Sequence, residues 1–349
     1  MIRNISKYRD ALIGVAILWV MLHHSGLDLP NPLFALKRSG YGGVDIFMFL
    51  SGFGCVVSLT RNRNALSFYK RRLVRIYPHY IPVLAVFIVL NASWGLECLR
   101  DIFGNLTGFS FWAMTGLRFN WYILAIVAFY IATPLFFEVL QNKGKRGLLF
   151  LLILSFIASF CFNETEASIA VSRFPVYILG MGAGLRFAAG DKQENRISDK
   201  ILELIIFSCG IVGLACLAVL YKFQDPIPAE LYNVFIPCFL TTPAIVLLFS
   251  RFFGFIEKKI IGKGIIKCFS FLGKISLDLY LIHIVSFNKI GVLIEGSYDN
   301  ASAHSVSIRN IIIWLAIILC CIGVSYCYCR TIDYLYNFCA LRKKKVRES

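Results

Sequence analysis

The chain has 349 residues, 58% of them hydrophobic and only 16% charged. That balance excludes a water-soluble globular enzyme, because so much apolar surface would have no polar coat. The 36 Lys and Arg exceed the 20 Asp and Glu for a net charge of +16, an excess that anionic lipid headgroups explain without nucleic acid as a partner.

A crossing helix needs about 20 apolar residues, and ten such segments are predicted in chain order, near 10–27, 42–59, 74–93, 121–140, 148–162, 168–188, 201–221, 231–253, 270–292 and 309–329. Of the 36 basic residues, 28 fall in the termini and in alternate connections. Basic residues are retained in the cytoplasm, so both termini are expected there, as an even number of crossings requires. The predicted fold class is an all-α polytopic membrane protein, one domain over residues 1–335 followed by a basic cytoplasmic tail over 336–349. The first apolar segment lacks a small-residue cleavage site and reads as a retained helix. The twelve cysteines are scattered through apolar stretches, without a CxxC pair backed by a second pair or by histidines. They read as small packing residues, and no metal site is expected.

The first segment is uninterrupted only from Ala11 to Leu22, so a full crossing carries His23, His24 and Ser25 inside or at the outer edge of the bilayer. Polar groups there cost free energy and mark sites; a neutral imidazole is suited to general-base work. A pair of histidines capping the helix in interfacial water is the competing reading, and both stay open. The second segment begins Gly42-Gly43-Val44-Asp45, which puts Asp45 at the depth of His24 if the helices are antiparallel. Asp45 is thus expected either to orient the imidazole or to cap its own helix, and the neighbouring glycines allow close backbone approach.

The third segment opens with Arg71, Arg72 and Arg75, spaced to share one helix face and suited either to phosphate or to lipid headgroups. Pro78 and Pro82 are expected to bend or break that helix. The connection after it, with Phe103, Phe109, Phe111 and Trp112, reads as an interfacial or re-entrant element. His283 lies in the ninth segment, with Asp278 about one turn away. It is expected either to pack or to line a central cavity.

Gly42-Gly43-Val44-Asp45-Ile46-Phe47 through Leu50-Ser51-Gly52-Phe53 resembles the GVDLFFVLSGF signature of the acyltransferase-3 family of membrane O-acyltransferases. Asp10 to His24, Phe68 to Pro78, Trp121 to Leu135 and Gly273 to His283 resemble its other segments in the same order. The resemblance implies transfer of an acyl group, commonly acetyl from cytoplasmic acetyl-CoA, to a hydroxyl of a cell-surface glycan or related acceptor, in a cell membrane such as the bacterial cytoplasmic membrane. No cofactor is expected to be tightly bound. By position it makes His24 the catalytic histidine, with Asp45 beside it, and Arg71, Arg72 and Arg75 the group near the coenzyme phosphates. Trp121, Tyr122 and His283 become candidates for the substrate wall. Two positions depart from the family pattern: Ile13 stands where an arginine is favoured and Ile126 where a glutamate is common. Arg9, one turn below Ile13, is expected to substitute for the arginine. The alternative reading is a multi-helix transporter or flippase without acyl transfer.

Overall fold

A bilayer offers no water to the backbone, so each crossing segment must close its own hydrogen bonds. The computed structural model describes residues 2–27, 29–91, 95–162, 165–190, 196–222, 232–295 and 308–348, and among them every regular element is helical. In order these are α1 (Ile2–Lys7), α2 (Arg9–His24), α3 (Leu33–Arg38), α4 (Gly42–Arg61), α5 (Ala65–Asn91), α6 (Leu96–Thr107), α7 (Phe109–Trp112), α8 (Trp121–Cys161), α9 (Ser168–Val171) and α10 (Phe174–Ala188). They continue with α11 (Arg196–Lys222), α12 (Tyr232–Ile256), α13 (Ile260–Lys274), α14 (Ser276–Glu295) and α15 (Ile308–Glu348). Among the described residues seven helices are long and apolar enough to cross a membrane, or eight if the bent pair α13–α14 counts as one span.

Three expectations about the segments change. The first segment is shorter than read: α2 ends at His24 and has 16 residues, about 24 Å at 1.5 Å per residue, short of a hydrocarbon core of about 30 Å. The ninth is broken, with α13 and α14 meeting at a 68° bend. The third is intact, since α5 runs through Pro78 and Pro82 without interruption. Inside α8, Gly144 has φ 52° and ψ −125°, a conformation that glycine tolerates and other residues resist. Beyond it the chain folds back: a Cβ on Gly147 would lie 2.6 Å from the carbonyl oxygen of Val139, eight residues earlier and roughly 12 Å away in a straight helix.

The central helices touch backbone to backbone. A Cβ on Gly180 of α10 would fall 2.0 Å from the Phe49 carbonyl oxygen of α4, and one on Gly52 of α4 would fall 2.2 Å from that of Tyr177. On the other side of the core, Gly14 of α2 meets Phe269 of α13 and Gly273 meets Asp10 equally closely. Such seams replace the hydrophobic drive that lipid removes. The glycines of the second segment therefore serve helix packing. At the start of α2 the Lys7 ammonium (2.6 Å) and the Tyr8 hydroxyl (2.8 Å) both donate to Glu257 beyond the end of α12, and these bonds hold its carboxyl below the ordinary value.

The connection between α5 and α8 has its polarity inverted. Asp101 and Asn105 of α6 are buried, whereas Leu96, Leu99, Phe103 and Phe109 are exposed. The Asn105 Nδ2 donates to the carbonyls of Asp101 and Leu117, and its Oδ1 accepts from Phe119 N–H; Tyr77 and Tyr80 of α5 donate to the carbonyls of Leu106 and Asn105. Polar groups turned inward and apolar ones outward fit an element lying in a lipid interface, as the sequence suggested.

Replacing Gly180 by Ala should destabilise the detergent-solubilised protein by roughly 1–3 kcal/mol through overpacking. Gly264→Ala, where the added Cβ meets nothing within 4 Å, should leave the melting temperature unchanged or raise it through helix propensity. Thermal unfolding of the two variants side by side checks this.

Candidate functional site

Two apolar cores meet at Trp121 and Tyr122, which open α8 and pack against both. Below that junction lies a cavity lined by Arg9 and Ile13 of α2, Phe47 and Ser51 of α4, Arg75 and Ile76 of α5, Tyr122, Ile123, Ile126 and Tyr130 of α8, and Ser276, Leu277 and Tyr280 of α14. The space that water centres can occupy in it is about 70 Å³, room for a few waters.

At one end stand two guanidinium groups. Arg9 donates a long bond of 3.5 Å to the Leu50 carbonyl, its Nε has no hydrogen-bond partner, and its charge is felt by that of Arg75. Among the described residues neither arginine has an ion-pair partner. Arg75 is exposed and Arg9 partly so, and two like charges side by side favour an anion between them. Arg9 lines the cavity together with Arg75. Ile13 and Ile126, the two departures from the family pattern, line this same cavity.

The other two arginines of the cluster do not enter the cavity, contrary to the expectation of one shared face. Arg71 donates to the Ser58 hydroxyl. Arg72 donates to the Gly54 carbonyl and lies over the rings of Phe68 and Tyr130, 5.2 Å from each centroid, so it clasps α5 to α4 and α8.

The opposite wall is aromatic. Phe47, Tyr122 and Tyr280 stand with centroids 5.0–6.4 Å apart, and the edge of Tyr280 meets His283 at 5.4 Å. His283 is fully buried. Its Nε2 lies 3.3 Å from Nδ1 of His24, whose ring is 5.2 Å away. Neither histidine lines the cavity; the tyrosine ring stands between.

The hydrogen bonds fix the tautomers. Nδ1 of His283 is 2.9 Å from the Leu279 carbonyl, and Nδ1 of His24 is 3.0 Å from that of Val20. A carbonyl only accepts, so each Nδ1 carries a hydrogen. In the neutral rings Nε2 of His283 is then bare and accepts from His24 Nδ1–H, which leaves Nε2 of His24 as the available lone pair on a side chain that is exposed. A histidine, rather than the expected carboxylate, orients His24.

Asp45 is engaged elsewhere, which corrects the pairing read from the sequence. It is buried and faces Arg173, also buried, at 3.8 Å. Arg173 also donates to the Ile169 carbonyl and stacks on Trp121 at 5.1 Å, so Trp121 covers this pair and only Tyr122 reaches the cavity. The sequence reading passed over Arg173, although an arginine within the apolar segment 168–188 is itself a signal of a paired charge. Asp278, expected near His283, instead holds His79 at 2.7 Å.

The geometry defines a multi-pass membrane protein with a cavity lined by two arginines and no carboxylate, and an oriented imidazole behind its aromatic wall. A family described as an acyltransferase domain matches residues 7–330, and the chain belongs to that family, acyltransferase-3. Among curated proteins it is similar to a regulator of hypoxia-inducible factor 1 from Caenorhabditis elegans, 30% identical over 192 residues. That match covers 43% of this chain and 37% of the relative, so the chain spans well under two thirds of the relative's length. No solved structure matches.

Truncating Asp45 to Leu strands the Arg173 charge and should cost roughly 3–5 kcal/mol, whereas the double change with Arg173→Met should recover most of it. Thermal unfolding of the single and double variants decides whether Arg173 is the true partner of Asp45.

Proposed function

We propose that this protein is a membrane-bound O-acyltransferase, in its simplest form an O-acetyltransferase, that moves an acyl group from cytoplasmic acyl-CoA to a hydroxyl of a cell-surface glycan or related acceptor. The observation that carries this reading is the pairing of Arg9 and Arg75 in one cavity whose lining holds no carboxylate, with His283 and His24 behind its aromatic wall. An anionic donor neutralises the first feature, and the second supplies a base.

Sidedness follows from the same reading. Splitting α8 at Gly144, counting α13 with α14 as one crossing and counting the short α2 together with the residues that flank it brings the count to ten, with both termini on the cytoplasmic side where 28 of 36 basic residues gather. Arg75 and Arg9 then face the coenzyme's compartment. His24, fifteen residues from Arg9, stands about 22 Å further along the axis of α2, toward the acceptor's side.

In the transfer, Nε2 of His24 takes the proton of the acceptor hydroxyl as its oxygen attacks the thioester carbonyl. The tetrahedral intermediate collapses by breaking the carbon–sulfur bond, and the departing thiolate recovers the proton from His24. While His24 is cationic, its Nδ1–H bonds to His283 and Val20 become charge-assisted. A neutral partner suits an apolar site, since a second carboxylate there would have to be desolvated. His283 is thus a positioning residue. For the coenzyme's thioester to reach His24, Tyr280 must turn aside, which makes the aromatic wall a gate.

His24→Ala should lower kcat by roughly 10²–10⁴-fold with coenzyme A binding retained, measured on purified protein with an acetyl-CoA donor and envelope glycan acceptors. His283→Leu should lower kcat with an unchanged KM for acetyl-CoA, and His283→Gln, whose Oε1 can accept from Nδ1–H of His24, should restore part of it. Arg75→Ala should instead raise KM for the donor. Intact acylation in His24→Ala would overturn the assignment, and transport of the acceptor without acetylated product would favour the flippase reading.

A further inference from the structure

His79 of α5, Asp278 of α14 and Cys329 of α15 come from three helices, yet their Nδ1, carboxylate oxygen and Sγ all lie within 4.8 Å of one another. We propose that they form a binding site for a divalent transition metal, zinc in the first instance, that pins α15 to the α5–α14 pair. The site is separate from the proposed acyl-transfer chemistry and uses none of its residues.

The donors suit that ion. Zinc takes imidazole nitrogen, carboxylate oxygen and thiolate sulfur together. With bonds of about 2.0–2.3 Å in a tetrahedron, ligand atoms stand about 3.3–3.7 Å apart. His79 and Asp278, at 2.7 Å, need to open slightly, and Cys329 needs to close. The fourth position is left to water.

Charge favours it as well. Asp278 is 2% exposed, and among the described residues its ion-pair partner is His79. A carboxylate buried at this depth needs a compensating cation. One divalent ion with an aspartate, a thiolate and a neutral imidazole sums to zero, the condition an apolar surrounding imposes. A further contact steadies the donor on α5: the Tyr328 hydroxyl of α15 donates 2.7 Å to the His79 carbonyl. Such outer contacts hold ligands in register.

The place is one where a clasp is needed. Only 17% of the apolar window of α15 is buried, so its packing is thin. Its members lie at positions 79, 278 and 329, without the short ligand spacing by which linear zinc motifs are recognised.

Full-length protein in detergent, stripped with a chelator and titrated with Co²⁺, should take up one equivalent and show the thiolate-to-cobalt charge-transfer band of a tetrahedral site. The band should vanish in Cys329→Ser and persist in Cys327→Ser, and His79→Ala and Asp278→Asn should each weaken binding by about tenfold or more. On the unaltered protein, Zn²⁺ should slow alkylation of Cys329, followed by peptide mass spectrometry, by about tenfold, and EDTA should restore it. A cobalt complex without the thiolate band, a band that survives Cys329→Ser, or alkylation indifferent to Zn²⁺ would each overturn the proposal.

Discussion

Arg9 and Arg75 share a cavity of about 70 Å³ whose lining holds no carboxylate, and the rest of the reading hangs on that electrostatic imbalance. Two like charges side by side repel, and an anion bound between them relieves that repulsion. The fold tolerates the arrangement by packing its backbones tightly around it. Glycine seams lock α4 to α10 and α2 to α13, which fixes the helices that carry Arg9 and Phe47, while Arg72 clasps the base of α5. A site that is stable but unsatisfied is ready for an anion, and a nucleotide-bearing thioester is an anion with a reactive end.

At the other end of the cavity polarity is handled differently. Three aromatic rings close it off, and behind them two neutral imidazoles fix each other's tautomers through main-chain carbonyls. The charged pair Asp45–Arg173 is kept apart from this chemistry, roofed by Trp121. Segregating the strong ion pair from the base keeps the imidazole free of a neighbouring charge that would hold it protonated. Neutral Nε2 of His24 can then accept a proton.

Much of this was legible in the sequence, and the reasons are physical. Apolar length located the helices because a bilayer sets a length scale, and the polar end of the first segment pointed to His24 because polarity at depth is costly. The place of Arg9 followed from helical periodicity, one turn from Ile13. What stayed hidden depends on which helices touch. The antiparallel placement of two consecutive segments suggested Asp45 for His24, but α10 brings Arg173 to Asp45 from 128 positions away, and α14 brings His283 to His24 from 259 positions away. Arg71, Arg72 and Arg75 share a helix but serve three different neighbours. Helical spacing fixes a face, not what faces it. Ile13 and Ile126, which read as separate departures in the sequence, meet in one cavity.

The most direct test of a common conduit is the structure of the protein with coenzyme A bound. The account predicts phosphates against Arg75 and Arg9, the pantetheine arm threaded past Tyr122, the ring of Tyr280 turned away, and the sulfur within reach of Nε2 of His24. Coenzyme bound elsewhere, or a sulfur held on the arginine side of an unmoved Tyr280, would contradict it.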